Sequence, residues 1–137
     1  MSRGSLGIWL PGPGLLVAQM VDYGDEAFAT PIAQAFDRAL ESAGPVRMFF
    51  DVGRMHNYDS ALRTRLTKRF LGDRARIGGI DIFVQSRIVA MGVAVANLAL
   101  GGIIAAHPKR LAFNLALDDV LRKAGIASFS SGVLLAA

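Results

Sequence analysis

The side chains that could do chemistry gather in one short stretch, residues 46–62, VRMFFDVGRMHNYDSAL. Asp51 ends an apolar run, and Asp59 and Ser60 follow it across a short polar segment. Together with His56, the two carboxylates could be read as a catalytic or metal-binding cluster. However, the sequence has no convincing nucleophile–base pair, no glycine-rich phosphate loop and no His-Glu-x-x-His motif. We therefore expect a protein without catalytic residues, without a metal and without a cofactor.

The alternation of strand and helix patterns around this stretch predicts an α/β fold. A β-hairpin opens the chain, with strands at 7–10 and 15–21 around the turn Pro11–Gly14. A helix then begins at Pro31, with Thr30 as its N-cap, and ends before Gly44. The remaining predicted elements are a strand at 46–52, a helix at 60–77, a strand at 80–84, a helix at 87–100, a strand at 103–106 and a helix from Pro108 to Gly125.

This order indicates an N-terminal β-hairpin followed by βαβαβα, with a mostly parallel central sheet and helices packed on it. The 137 residues suit a single domain, residues 1–137, in which 1–5 and 127–137 are either flexible or interface-forming tails. The absence of cysteine is compatible with a reducing cytoplasm, and we predict a cytoplasmic protein.

The segment Ile88–Ala106 raises the question of a membrane span, because its 19 residues carry no charge. Asn97 lies inside it, and Gly101 and Gly102 disfavour one continuous helix. We therefore predict a buried helix, a glycine turn and a central strand. The protein is expected to have no integral membrane segment.

The formal net charge of +4 arises mostly from one segment, residues 63–76, which has six basic residues and one acidic residue. A solvated helix face is the favoured explanation, and binding of phosphate, an acidic protein or membrane headgroups is the alternative. Nucleic-acid binding is not expected, because the apolar stripe of this helix is needed for the core.

Two predicted helix starts could form an anion site. In a parallel sheet the loops after Asp51 and after Val84 open at the same edge, so the helices beginning near Ser60 and Ser86 could face one crevice. Free N–H groups there, together with Arg54 and Arg87 beside them, suit phosphate or carboxylate. Two ordinary caps and two solvated arginines are the favoured interpretation, and the anion site is the alternative.

The element order and this stretch together resemble the STAS domain, the family named for sulfate transporters and anti-sigma-factor antagonists. The corresponding residues are Asp51 at the strand end and Asp59, Ser60, Ala61 and Leu62 at the helix start. In the classical antagonists the phosphoacceptor is generally the second Ser of an Asp-Ser-Ser-Gly motif, and here Ala61 and Leu62 replace Ser and Gly. The resemblance thus supports the fold more than the kinase-controlled switch.

The resemblance implies a bacterial, non-enzymatic regulatory or scaffold domain that acts by protein–protein interaction, with a regulatory kinase or an anti-sigma factor as its partner. Asp51, Asp59, Ser60 and Arg63 are the predicted partner-binding residues. Ser60 is either a helix cap or a phosphorylation site, since a helix N-terminus and nearby arginines would stabilise a phosphate.

An alternative function keeps the same fold. In this reading the domain binds a small ligand, a lipid or an anion between the all-apolar third helix and the sheet, and peripheral lipid contact is conceivable. In either case the apolar hairpin with Trp9 and the apolar tail with Val133, Leu134 and Leu135 predict a homo-oligomer.

Overall fold

A computed structural model describes residues 3–126 of the chain, which form six strands and four α-helices. The predicted tail with Val133, Leu134 and Leu135 lies outside the described residues. The strands are β1 (Ser5–Trp9), β2 (Leu15–Gly24), β3 (Val46–Asp51), β4 (Met55–Tyr58), β5 (Ile77–Phe83) and β6 (Ile104–His107). The helices are α1 (Ala29–Ala39), α2 (Ser60–Gly72), α3 (Arg87–Ala99) and α4 (Arg110–Lys123).

The sheet is mostly parallel, in the order β1-β2-β3-β5-β6, with β4 pairing separately with β2. The β1–β2 hairpin is its antiparallel part, and the pairings of β2 with β3, β3 with β5 and β5 with β6 are parallel. The predicted α/β fold with an N-terminal hairpin is thus confirmed. The strand after the glycine turn is at the edge of this order, so its prediction as a central strand was wrong.

Alternate residues of each strand point to opposite faces of the sheet, and each face has its own core. Helices α1, α2 and α3 cover one face, where Phe36 and Phe70 meet edge to face with ring centroids 5.0 Å apart. Helix α4 covers the other face, where Phe113 packs on Phe49 and Phe83. The structure therefore has three layers, with three helices on one side of the sheet and α4 on the other.

Strand β4 was not predicted, because its four residues include the polar pair His56 and Asn57. It pairs with the end of β2 across a register shift next to Asp22, which has a positive φ of 71°. The Asp22 N–H donates to the Arg54 carbonyl at 3.0 Å. His56 is exposed and belongs to this strand.

The second helix ends earlier than predicted, at Gly72, and a 3-10 turn at Arg74–Arg76 leads into β5. Ile77 is buried in that strand opposite Val46, although its spacing also fitted the helical stripe. Gly78 and Gly79, which directly follow the predicted helix, lie inside β5. A Cβ atom at Gly79 would be 3.1 Å from Arg47 Nε, so the glycine leaves room for this side chain.

The first helix also begins differently. Asp25 caps a 3-10 turn at Glu26–Phe28 by accepting the Ala27 N–H at 2.9 Å, and α1 follows directly from Ala29. Thr30 is therefore inside the helix and is not its N-cap.

The turn between α3 and β6 is the glycine turn that the sequence predicts. Gly101 and Gly102 both have a positive φ, which ends the helix. Asn97 is the one amide in this apolar segment, and it has a structural role. Its side-chain oxygen accepts the Ile104 N–H at 2.8 Å. Among residues 3–126, no helix is long and apolar enough to cross a membrane.

Arg76 binds backbone carbonyl groups just after the end of α1, and we expect its removal to destabilise the fold. Its Nη2 donates to the carbonyl oxygens of Ser42, Gly44 and Leu40 at 2.7, 3.0 and 3.3 Å. Charged hydrogen bonds of this kind contribute about 2 kcal/mol in total once solvation is included. The Arg76→Met variant should lose about that much free energy of unfolding in urea titrations.

Lys68→Met is the matched control, because it removes one positive charge from an exposed position of α2. If both variants unfold at the same urea concentration, the hydrogen bonds of Arg76 do not stabilise the fold as proposed.

Candidate functional site

Asp51, at the end of β3, is an interior residue with only 1% of its surface exposed. Its Oδ2 accepts from Arg110 Nη1 at 2.6 Å and from Gln19 Nε2 at 3.3 Å, and its Oδ1 accepts the Gly53 N–H at 3.1 Å. A buried carboxylate does not lie on a partner-binding surface, so that part of the predicted site must be corrected.

A second buried carboxylate lies on the same face of the sheet. Asp81 accepts from Arg47 Nη2 at 2.9 Å and is 2.8 Å from His107 Nε2. Sequence reasoning missed this group, although Arg47 and Asp81 were visible as charges inside apolar strands. Their two-residue spacing from Phe49 and Phe83 places them on the face that α4 covers.

Asp59 holds three segments together at the start of α2. Its carboxylate accepts from the Tyr23 hydroxyl at 2.5 Å, from the Glu26 N–H at 2.8 Å and from Arg3 Nη2 at 3.0 Å. The Tyr23 hydrogen bond, followed by the Glu26 N–H, lowers the pKa of Asp59, and the same hydrogen bond raises the pKa of Tyr23. Asp59 is in the N-cap position, but its side chain makes no cap bond to α2.

Ser60 is the first residue of α2 and is exposed, so the interpretation of its hydroxyl as the helix cap was wrong. Its phosphorylation stays a prediction. Leu62, the third residue of α2, is buried in the core.

The candidate anion crevice was expected at Ser60 and Ser86, with Arg54 and Arg87 beside them. Ser86 caps α3, as predicted, by accepting the Val89 N–H at 3.4 Å. Its hydroxyl also donates to the His56 carbonyl at 3.3 Å, which joins the start of α3 to β4. Arg54 and Arg87 are exposed, and anion binding by them stays a prediction.

Several side chains of the basic segment, residues 63–76, form contacts with other parts of the domain. Arg69 pairs with Asp37 of α1 at 2.6 Å and with Asp73 at 2.7 Å, and these contacts raise its pKa. Arg65 is 3.7 Å from Glu26, and Arg74 donates to the Leu100 carbonyl at 2.7 Å. The favoured explanation, a solvated helix face, therefore does not describe Arg69 and Arg74, which contact neighbouring elements. Arg65 remains exposed to solvent, in agreement with it.

Helix α3 exposes large apolar side chains along its outer surface. Ile88, Met91, Val95 and Leu98 are 54%, 65%, 51% and 85% exposed. At 100° per residue these positions lie within about 80° of one another around the helix axis. They therefore form one continuous stripe, which we call the outer α3 stripe.

Comparison with known proteins gives a fold and no close relative. No family model matches the sequence, and neither does any curated protein. Among solved structures, the chain is similar to an uncharacterized protein of the DUF3478 family from Shewanella loihica, described as having a SpoIIAA-like fold. The two share 13% identity and a TM-score of 0.62 over 82% of this chain and 93% of that one.

The chain thus has the SpoIIAA-like fold, which is the fold of anti-sigma-factor antagonists and STAS domains. The fold expected from the STAS resemblance is confirmed. At 13% identity the likeness concerns the fold alone and assigns no activity or partner.

The buried pair of Asp51 and Arg110 is testable by a double-mutant cycle. Asp51→Asn removes the carboxylate that accepts from Arg110 Nη1, so the free energy of unfolding should fall by about 3 kcal/mol. Arg110→Met should lower the free energy of unfolding by a similar amount, since it leaves the buried Asp51 carboxylate without this cation. The double variant should lose clearly less than the sum of the two, as measured by urea denaturation. Additive losses would show that the two side chains are not coupled.

Asp59 should make stability depend on pH in the acid range. Because its pKa is lower in the folded state, the ionised carboxylate stabilises the fold above its unfolded pKa of about 3.9. This stabilisation is lost as the pH falls through the lower folded-state pKa. The urea midpoint of Asp59→Asn should therefore lie below the wild-type midpoint at pH 6, and the two should converge toward pH 2.

Glu41→Gln, which removes an exposed carboxylate after α1, controls for the loss of one negative charge. A gap between Asp59→Asn and wild type that stays constant from pH 6 to pH 2 would contradict this account.

Proposed function

We propose that this chain is a non-enzymatic regulatory or scaffold domain that acts by binding another protein. The outer α3 stripe is the observation that carries the proposal. Four large apolar side chains exposed in one row are costly to leave in water, and contiguous apolar patches of this kind mark interaction sites. Covering them with a partner protein would remove that cost.

The outer α3 stripe lies next to the predicted partner-binding surface around Asp59 and Ser60. The hydrogen bond from Ser86 to the His56 carbonyl holds the first turn of α3 beside β4, and β4 leads directly into Asp59 and Ser60. A partner that covers the stripe would therefore meet the exposed Ser60 as well. Of the predicted partner-binding residues, Asp59, Ser60 and Arg63 remain in the proposed contact region, and the buried Asp51 does not.

The fold supports one type of partner as the favoured proposal. Since anti-sigma-factor antagonists share this fold, a regulatory kinase or an anti-sigma factor is the partner class we favour. A cytoplasmic location would suit such a partner. The competing occupant of the same apolar surface is a second copy of this chain. Light scattering of the purified protein measures its oligomeric state and so distinguishes self-association from binding to a different protein.

The proposal predicts that one charge on the stripe abolishes partner capture. Immobilised wild-type protein and a Met91→Glu variant are exposed to lysate of the source organism, and retained proteins are identified by mass spectrometry. A specific partner should be retained by wild type and reduced at least tenfold by Met91→Glu, because burying an unpaired carboxylate in an apolar contact is strongly unfavourable.

Leu115→Glu is the matched control, since Leu115 is comparably exposed but lies on α4, on the opposite side of the sheet. Equal loss in both variants, or retention by both, would contradict a role for the outer α3 stripe.

A further inference from the structure

The inner surface of α3 borders a cavity of about 110 Å³ that opens between α2 and α3. Its floor is the sheet, with Ile80, Ile82 and Ile104, and its walls include Leu66, Val93 and Ala96. Of the 18 lining residues, Tyr58, Arg63 and Thr67 are the polar ones. An apolar cavity of this kind disfavours water, and one of roughly 150 Å³ holds a benzene molecule.

The cavity lies where small residues of α3 face the rest of the domain. Gly92 faces Tyr58 so closely that a methyl group at this position would overlap the tyrosine hydroxyl. Ala96 follows one turn later and fills little of the space between the helices. Protein interiors are normally packed without such space, and an empty apolar cavity lowers stability. A ligand in the cavity would restore the missing contacts.

Arg63 brings a positive charge to this apolar space. Its Nη1 donates to the Tyr58 hydroxyl at 3.0 Å, and the side chain is half-buried. Within residues 3–126 no carboxylate is within 4.0 Å of Arg63, whereas Arg65 and Arg69 on the same helix both have acidic partners. A partly buried guanidinium beside a hydroxyl suits the binding of an anionic group.

We propose that the cavity binds a small amphiphilic carboxylate, with its apolar tail between α2 and α3 and its carboxylate on Arg63 and Tyr58. Since a cavity of roughly 150 Å³ holds the six carbons of benzene, this smaller cavity encloses about four carbon atoms of the tail. A medium-chain carboxylate such as octanoate therefore fits, with its first carbons in the opening. The assignment does not rest on the outer α3 stripe, because the stripe residues do not line the cavity. Arg63 is shared, since it also belongs to the proposed contact region.

The experiment is a titration of the full chain, labelled with ¹³C at the isoleucine methyl groups, with octanoate and with 1-octanol. Octanoate should shift the methyl signals of Ile80, Ile82 and Ile104 in a saturable way. Octanol, which has the same tail length and no charge, should bind at least fivefold more weakly.

Two arginine variants test the carboxylate site. Arg63→Met should weaken octanoate binding at least fivefold and leave octanol binding unchanged. Arg65→Met, a change of the same charge on the same helix but outside the cavity lining, should bind octanoate like wild type. Thermal melting verifies that both variants are folded.

A third variant tests the cavity itself. Ala96→Leu fills part of the space and should weaken binding of both compounds while the melting temperature is kept or raised. If this variant does not fold, the two arginine variants still decide the question.

Three results would overturn the proposal. One is the absence of saturable shifts at the three isoleucines. The second is equal binding of octanoate and octanol with no effect of Arg63→Met, which would mean an apolar cavity without an anion site. The third is equal weakening by both arginine variants, which would indicate general attraction of the anion to the basic helix.

Discussion

The buried ion pair between Asp51 and Arg110 is the interaction on which the two-sided arrangement of this domain depends. It joins the carboxyl end of β3 to the first residue of α4, which is the helix that covers the second face of the sheet. Asp51 is also in register with Gln19 of β2, and the two side chains are hydrogen-bonded. One carboxylate thus links two strands and a helix, and the aromatic core around Phe113 forms beneath it.

The charges of this chain mostly serve its own fold. Arg47, Arg69, Arg76 and Arg110 each contact groups that are distant in sequence, so an overall positive charge does not by itself describe an anion-binding surface. Ion pairs at exposed positions contribute little, but those beneath α4 are shielded from water and must be satisfied. What distinguishes Arg63 is therefore its surroundings, an apolar cavity and a tyrosine hydroxyl, and not its charge alone.

The features predicted well from sequence are those that depend on neighbouring residues. The hairpin turn at Pro11–Gly14, the Ser86 cap and the left-handed Gly125 all follow from local chemistry and are found as expected. Ile77 was misplaced because its position satisfied both a helical stripe and a strand, and only its pairing with Val46 resolves the ambiguity.

The candidate site was harder to predict because its decisive contacts are distant in sequence. Asp51 and Arg110 are 59 positions apart, and Asp59 meets Tyr23 across 36. Nothing in the local pattern shows that one carboxylate will be buried and the other will join three surface segments. The short strand β4, with its polar side chains, likewise exists because β2 continues past Asp22 and offers it an edge.

Helix α3 brings the two proposed activities into one element. Its sequence is apolar nearly all round because both surfaces are apolar for different reasons: the inner one borders the cavity, and the outer one carries the exposed stripe. A packed helix moves as a rigid unit, so a displacement of α3 away from α2 would shift both surfaces together. Since Ser86 ties its first turn to β4 and Asn97 ties its last turn to β6, such a displacement must strain or break one of these two hydrogen bonds.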